Sequence, residues 1–156
     1  MTDQVKDSYN KYKLFPNLAY NCASYLIDNN ELIWKLLQHP TPDAWSKSNL
    51  TKKEKGALIY DGSPDETAYR VFLDVGIDTA MTIQATILRI SPFELIPTNH
   101  IVGNISMGFE IYSHFRVNTL SNYTTRVDTI VQQLIETFNG QMIGGLGRLY
   151  FDASEY

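Results

Sequence analysis

The residues best suited to acid–base chemistry in this sequence are its three histidines, His39, His100 and His114. His114 shares a predicted strand with Glu110 and Arg116, and alternate residues of a strand point to the same face. A general base oriented by a carboxylate uses such groups, but no serine or cysteine stands there in a nucleophile's context. No paired histidines have the helical spacing of a metal site. We expect neither catalytic residues nor metal ligands, and interpret His114 as a sheet-edge or interface residue.

The glycine-rich run at residues 140–147 reads GQMIGGLG and is a second candidate for chemistry. Phosphate-binding glycine loops lie between a strand and the N-terminus of a helix, where backbone N–H groups face the anion. Here the glycines follow a predicted helix and precede a predicted strand. We therefore expect no cofactor, and interpret Gly140 as the residue that ends the helix.

Other reactive and charged residues also favour structural roles. Cys22 is the only cysteine and lies on the apolar side of a predicted helix, so we expect a buried thiol and no disulfide. Asp61, Asp65 and Glu66 share a turn but lack the spaced oxygen ligands of a calcium loop. A solvated helix start, rather than a phosphate-binding patch, is predicted for the lysines at positions 47, 52, 53 and 55.

Composition indicates an ordinary globular protein of 156 residues, 44% hydrophobic and 19% charged, with a net charge of −4. We expect a polar arm at residues 1–14, a single domain at residues 15–152 and a tail at residues 153–156. The mild acidity argues against a broad nucleic-acid-binding face. No apolar run approaches the length of a membrane span, and the start of the sequence does not resemble a signal peptide, so no membrane partner is expected.

Two helices and two strands are predicted in the first part of the chain. Apolar residues recur at helical spacing from Pro16 to Ile27, and a short second helix is predicted at residues 31–38 with Trp34 towards its edge. Thr51 and Glu54 have the spacing of a capping box. Apolar–polar alternation predicts strands at residues 68–75 and 81–88, joined by a turn at residues 76–78 and paired with each other. The prolines at positions 92 and 97 bound a predicted connector.

The clearest pattern begins at residue 101. A long strand is predicted at residues 101–117, and its far half, residues 112–117, is expected to extend beyond the domain as an arm. After a polar break, Thr124 or Thr125 begins a helix with Arg126 on its polar face. Its apolar face is formed by Val127, Ile130, Val131, Leu134, Ile135 and Phe138. Residues 141–151 are predicted to return as a strand. The whole pattern predicts an α+β fold: a mostly antiparallel sheet with an N-terminal helical hairpin and one long amphipathic helix packed on the sheet.

Several segments resemble small neck proteins of tailed bacteriophages. They read NELIWKLL at residues 30–37, NLTKKEK at 49–55, RVD at 126–128, NG at 139–140 and IGGLGRLYF at 143–151. The resemblance covers most of residues 17–152. It implies a structural virion protein that forms a homo-oligomeric ring at the head–tail junction, as tail terminator, head-closure stopper or connector adaptor, and that is present in the host cytoplasm during assembly. The implied partners are further copies, portal or connector proteins, tail-tube or terminator proteins, and genomic DNA that passes through the lumen without specific binding.

A closed ring requires two different contact surfaces on each subunit, and arms can reach the next one. The candidate subunit-interface residues are Tyr9, Tyr12, Phe93, Tyr112, His114, Phe115 and Arg116. Two structural alternatives remain open, a tail-tube or baseplate protein that stacks into layers and a non-viral protein-binding adaptor. A hydrolase would need a pocket that gathers His114, Glu110 and a nucleophile, and we expect that the protein is not an enzyme.

Overall fold

The computed structural model describes residues 11–73, 83–99, 103–145 and 147–152. This part of the chain contains five α-helices and a three-stranded sheet, and two short 3-10 helices cover Lys11–Asn17 and Ala44–Ser46. The helices are α1 (Leu18–Asn29), α2 (Leu32–Gln38), α3 (Lys52–Ala57), α4 (Phe115–Asn118) and α5 (Arg126–Phe138). The strands are β1 (Val71–Phe72), β2 (Thr86–Pro97) and β3 (Gly103–Ser113). The predicted α+β class, with a mostly antiparallel sheet, is confirmed.

The helices α1 and α2 form the predicted N-terminal hairpin. Cys22 lies in the core, as expected. Trp34 was predicted at the edge of α2, but it is fully buried, and its indole N–H donates to the Leu26 carbonyl at 3.0 Å. The reason is the tight connection at Asn30, whose side chain accepts the Ile33 N–H and turns α2 back against the end of α1.

Two cations predicted in solvent are buried instead. Lys55 is 2% exposed, and its ammonium donates to the carbonyls of Ile27 and Asn30 and pairs with Glu31 at 2.7 Å. It thereby caps the C-terminal end of α1, where carbonyl groups and the helix dipole favour positive charge. Its neighbours Lys47 and Lys52 form surface ion pairs with aspartates.

Arg126 makes the corresponding contact at the end of α2. It is 0% exposed, and its guanidinium donates to the carbonyls of Leu36, His39, Thr41 and Val117. Burial lowers the pKa of this guanidinium from its ordinary value. Its predicted place on the polar face was therefore wrong, because its donors bind four backbone carbonyls of neighbouring segments in the interior.

The sheet pairs its first two strands as expected, but with different bounds and direction. β1 contains two residues and pairs with β2 in parallel, with Val71 opposite Leu88. A direct hairpin would have made this pairing antiparallel, whereas parallel neighbours need a longer connection. The predicted turn at residues 76–78 lies outside the described residues.

β2 and β3 form a long antiparallel ribbon, which corrects two predictions. β2 continues through Pro92 to Pro97, so the expected connector is a strand. Pro92 is tolerated because it lies beside a register shift between Pro92 and Glu94, which makes a bulge at Phe93. At its other end β3 stops at Ser113. Residues 114–118 then turn into α4 and bury Val117, so they do not form the predicted arm.

The helix α5 packs on one face of the ribbon. Thr125 caps its start by accepting the Asp128 N–H, and Phe138 lies 5.0 Å from Phe109 of β3 between ring centroids. Ile130 and Leu134 are buried with Phe138, whereas Val131 is 36% exposed, so the predicted apolar face is wider than the contact with the core.

The glycine-rich segment after α5 is a loop and not the predicted strand. Gly140 ends the helix with φ 77°, as expected. Gly144 and Gly145 also have positive φ, so the chain reverses there, and Met142 and Arg148 form an isolated bridge across the turn.

Candidate subunit interface

The side chains with the greatest potential for chemistry are occupied locally. His114 accepts the Arg116 backbone N–H through Nδ1 at 3.3 Å and so begins α4. Glu110 accepts from Arg89 at 3.1 Å and from the Tyr112 hydroxyl at 2.6 Å, and this bond raises the pKa of Tyr112. The carboxylate of Glu110 is therefore used within the sheet and does not orient His114.

The acidic turn is also organised by its own hydrogen bonds. Asp61 accepts from Ser63 and from the Tyr69 hydroxyl, and Asp65 accepts from Thr67, which lowers the pKa of both carboxyl groups. Within the described part of the chain, no group of three or more His, Cys, Asp or Glu side chains could hold a metal ion.

A cleft of about 370 Å³ lies between the end of α2 and α3. Its walls include His39 and Glu54, but the Glu54 carboxylate accepts the Thr51 N–H and hydroxyl in the predicted capping box. These bonds lower the pKa of Glu54. The titratable side chains among the residues lining the cleft are therefore His39 and Glu54, and the Glu54 carboxylate already serves as a helix cap.

The candidate interface residues fall into two groups at opposite ends of the β2–β3 ribbon. The tip patch consists of Phe93, Glu94 and Ile96, beyond the bulge in β2. The base patch consists of Tyr112, His114, Phe115 and Arg116, at the end of β3 and the start of α4. Ser106 is opposite Glu94 and Ser113 ends β3. At roughly 3.3 Å per residue, the stretch between these two serines is about 23 Å long.

The tip patch presents apolar side chains to solvent. Phe93 is 73% exposed and Ile96 is 51% exposed. Because the bulge inserts Phe93 as an extra residue, it changes the direction in which the local strand points its side chains. Glu94 is also exposed, and none of the ion pairs among the described residues includes it.

The base patch is an ordered stack of rings and a cation. The His114 and Phe115 rings are 4.8 Å apart with an interplanar angle of 29°, and Arg116 Cζ lies 5.7 Å from the Phe115 centroid. Phe115 is 76% exposed although its two neighbours contact it. Exposed aromatic and arginine side chains are the residue types enriched at protein interfaces.

The two predicted arm residues do not join either patch. The Tyr12 hydroxyl donates to the Asn99 carbonyl at 2.9 Å, so this ring lies against the end of its own ribbon. Tyr9 lies outside the described residues.

A third exposed group, the loop patch of Trp45 and Tyr123, was not among the predicted interface residues. Tyr123 is 94% exposed and has φ 65°, a conformation that non-glycine residues adopt rarely. Trp45 is 43% exposed, and its indole N–H donates to Ser121 in the same loop at 2.9 Å. Tyr123 lies in an irregular segment and Trp45 in the three-residue 3-10 helix, and neither segment is long enough for periodicity to mark a contact residue.

These features describe a small α+β domain with separate aromatic patches on its surface. The chain belongs to the YomW family, whose sequence model matches residues 30–156. The family's name is of the kind given to bacteriophage genes, and in this sense the chain is a phage-related protein. No curated protein and no solved structure matches it significantly. None of the helices in the described residues is both long and apolar enough to span a membrane.

Proposed function

We propose that the protein is a structural component of a phage neck, where copies of it form a ring between the DNA-filled head and the tail. It binds its own copies, portal or connector proteins on one side and tail-tube or terminator proteins on the other. Its role is contact and not catalysis, and genomic DNA passes its lumen without specific binding. The phage-related family and the segments that resemble neck proteins support this proposal.

The observation that carries the proposal is the pair of unlike apolar patches at the two ends of one ribbon. Phe93 and Phe115 are 73% and 76% exposed, although the domain has a core in which large aromatic residues can be buried. A subunit in a ring meets one neighbour through one surface and the next neighbour through another. Two separate exposed aromatic groups are what such an arrangement requires.

The test is the native mass of the purified protein, alone and after mixing with the portal and tail-tube proteins of the same phage. The major capsid protein serves as the control partner. We expect a ring of defined order, or one that forms only with the portal or the tail tube. Open stacks of repeated layers would favour a tail-tube role instead. A protein that stays monomeric and binds none of these virion proteins would overturn the proposal.

A further inference from the structure

The tip patch and the base patch carry opposite charges beside similar apolar groups. At the tip, Glu94 follows the exposed Phe93, and at the base, Arg116 follows the exposed Phe115. We propose that the tip patch of one copy binds the base patch of a second copy, with Phe93 against Phe115 and Glu94 against Arg116. This inference rests on the proposed ring and names the surfaces that close it.

The electrostatics of the described residues support this pairing. Four ion pairs join Lys47 to Asp43, Lys52 to Asp28, Lys55 to Glu31 and Arg89 to Glu110. None of them includes Glu94 or Arg116. The guanidinium of Arg116 lies over the Phe115 ring, which orients it, and among the described residues no carboxylate forms an ion pair with it.

Within one molecule these two charges cannot meet, because about 23 Å of ribbon lies between the ends that carry them. Contact between two identical patches would place Glu94 beside Glu94, or Arg116 beside Arg116, and like charges at an interface are unfavourable. The favourable contact is therefore between unlike patches. Such a contact leaves one tip and one base free on every pair, so further copies add in the same direction and form a ring when the rotation between copies closes.

The sequence offers a clean chemical test of this contact. Cys22 is fully buried, and burial raises the pKa of its thiol to about 12, so it reacts slowly with a maleimide in the folded protein. Cysteine can therefore be placed at Ile96 in the tip patch of one full-length variant and at Tyr112 in the base patch of another. Both substitutions leave the four proposed contact residues unchanged.

The two variants, given different tags, are mixed and treated with a short bis-maleimide. We expect cross-linked heterodimers of I96C with Y112C well in excess of those formed by I96C with a K53C control on the exposed face of α3. Adding Glu94→Lys to the I96C chain should reduce the yield about tenfold, and adding Arg116→Glu to the Y112C chain should restore it. Circular dichroism confirms that each variant is folded.

The outcomes separate this inference from the proposed function. Equal cross-linking with the K53C control, or a yield unaffected by charge reversal, would overturn the contact between patches. A ring that assembles as readily with Glu94→Lys as with the native sequence would overturn it as well, while the neck role would stand. If the specific cross-link forms but the protein binds neither portal nor tail-tube proteins, the contact between patches would be supported and the neck role refuted.

Discussion

Single buried cations join distant parts of this fold. Lys55 and Arg126 each bind backbone carbonyls at the C-terminal end of a helix that is far away in the sequence. Sequence patterns place lysine and arginine on polar faces. That prediction was wrong here because hydropathy carries no information about distant backbone carbonyls that can accept hydrogen bonds from these side chains. By contrast, the burial of Cys22 was predictable, since it follows from its position on the apolar stripe of α1.

At Arg126 we expect substitution by methionine to lower the free energy of unfolding by about 3–5 kcal/mol, because four carbonyls lose a charged donor in the protein interior. Urea denaturation measures this change. Arg148→Met is the matched control, since Arg148 is exposed and donates to one carbonyl, that of Gly140. Equal stability of the two variants would contradict the prediction, because the buried guanidinium would then contribute no more than the exposed one.

At Cys22 the raised pKa predicts a stability that depends on alkaline pH. The folded thiol keeps its proton up to about 12, whereas the unfolded thiol loses it near 9.0. The contribution is therefore complete below pH 9 and decreases as the pH rises from 9 towards 12. Denaturation curves over this range should show a steeper loss for the native sequence than for Cys22→Ala. Parallel pH profiles of the two proteins would contradict the prediction.

The helices of this protein were more predictable from sequence than its strands. The period of α1 and α5 and the capping box of α3 are local signals, and all three elements are present. The strand errors came from long-range pairing: Pro92 marked a boundary in the sequence, but pairing with β3 and a bulge at Phe93 let β2 continue past it. The candidate site shows the same limit, because Phe93 was identified while the loop residue Tyr123 was missed.

The loop after α5 allows a matched test of backbone and packing effects. Gly144 and Gly145 have φ 56° and 71°, so alanine at either position costs about 1–2 kcal/mol of backbone strain. An added Cβ at Gly144 would also lie 2.5 Å from Asn21 Nδ2, whereas at Gly145 it meets nothing within 4 Å. Thermal unfolding should therefore show a larger loss for Gly144→Ala than for Gly145→Ala. Equal losses would mean that the Asn21 side chain moves away from the added Cβ without a measurable loss of stability.

The whole molecule separates the aromatic residues that hold it together from those it presents to solvent. Phe138 is 5% exposed and contacts both Tyr25 and Phe109, whereas Phe93 and Phe115 are mostly exposed. Neither local pattern nor composition distinguishes these two uses of phenylalanine, which depend on where the ribbon leaves the core.

For the whole molecule we expect stability and self-association to respond to different phenylalanines. Serine at Phe93 or Phe115 should change the free energy of unfolding by less than about 0.5 kcal/mol and weaken self-association, because each ring is already in water. Phe138→Ala should instead cost about 3–5 kcal/mol. Urea denaturation and sedimentation velocity measure the two effects. A large loss of stability at Phe93 or Phe115 would assign these rings to the core.

The long sequence separation of the Arg126 contacts also affects the order in which the newly made chain can fold. Leu36 is translated 90 residues before the arginine that binds its carbonyl. At bacterial elongation rates of roughly 5–20 residues per second, this delay is about 5–20 s. Throughout that interval the charged donors that bind the carbonyls at the end of α2 are absent. We therefore expect the end of α2 to reach its native packing only after the start of α5 has emerged from the ribosome.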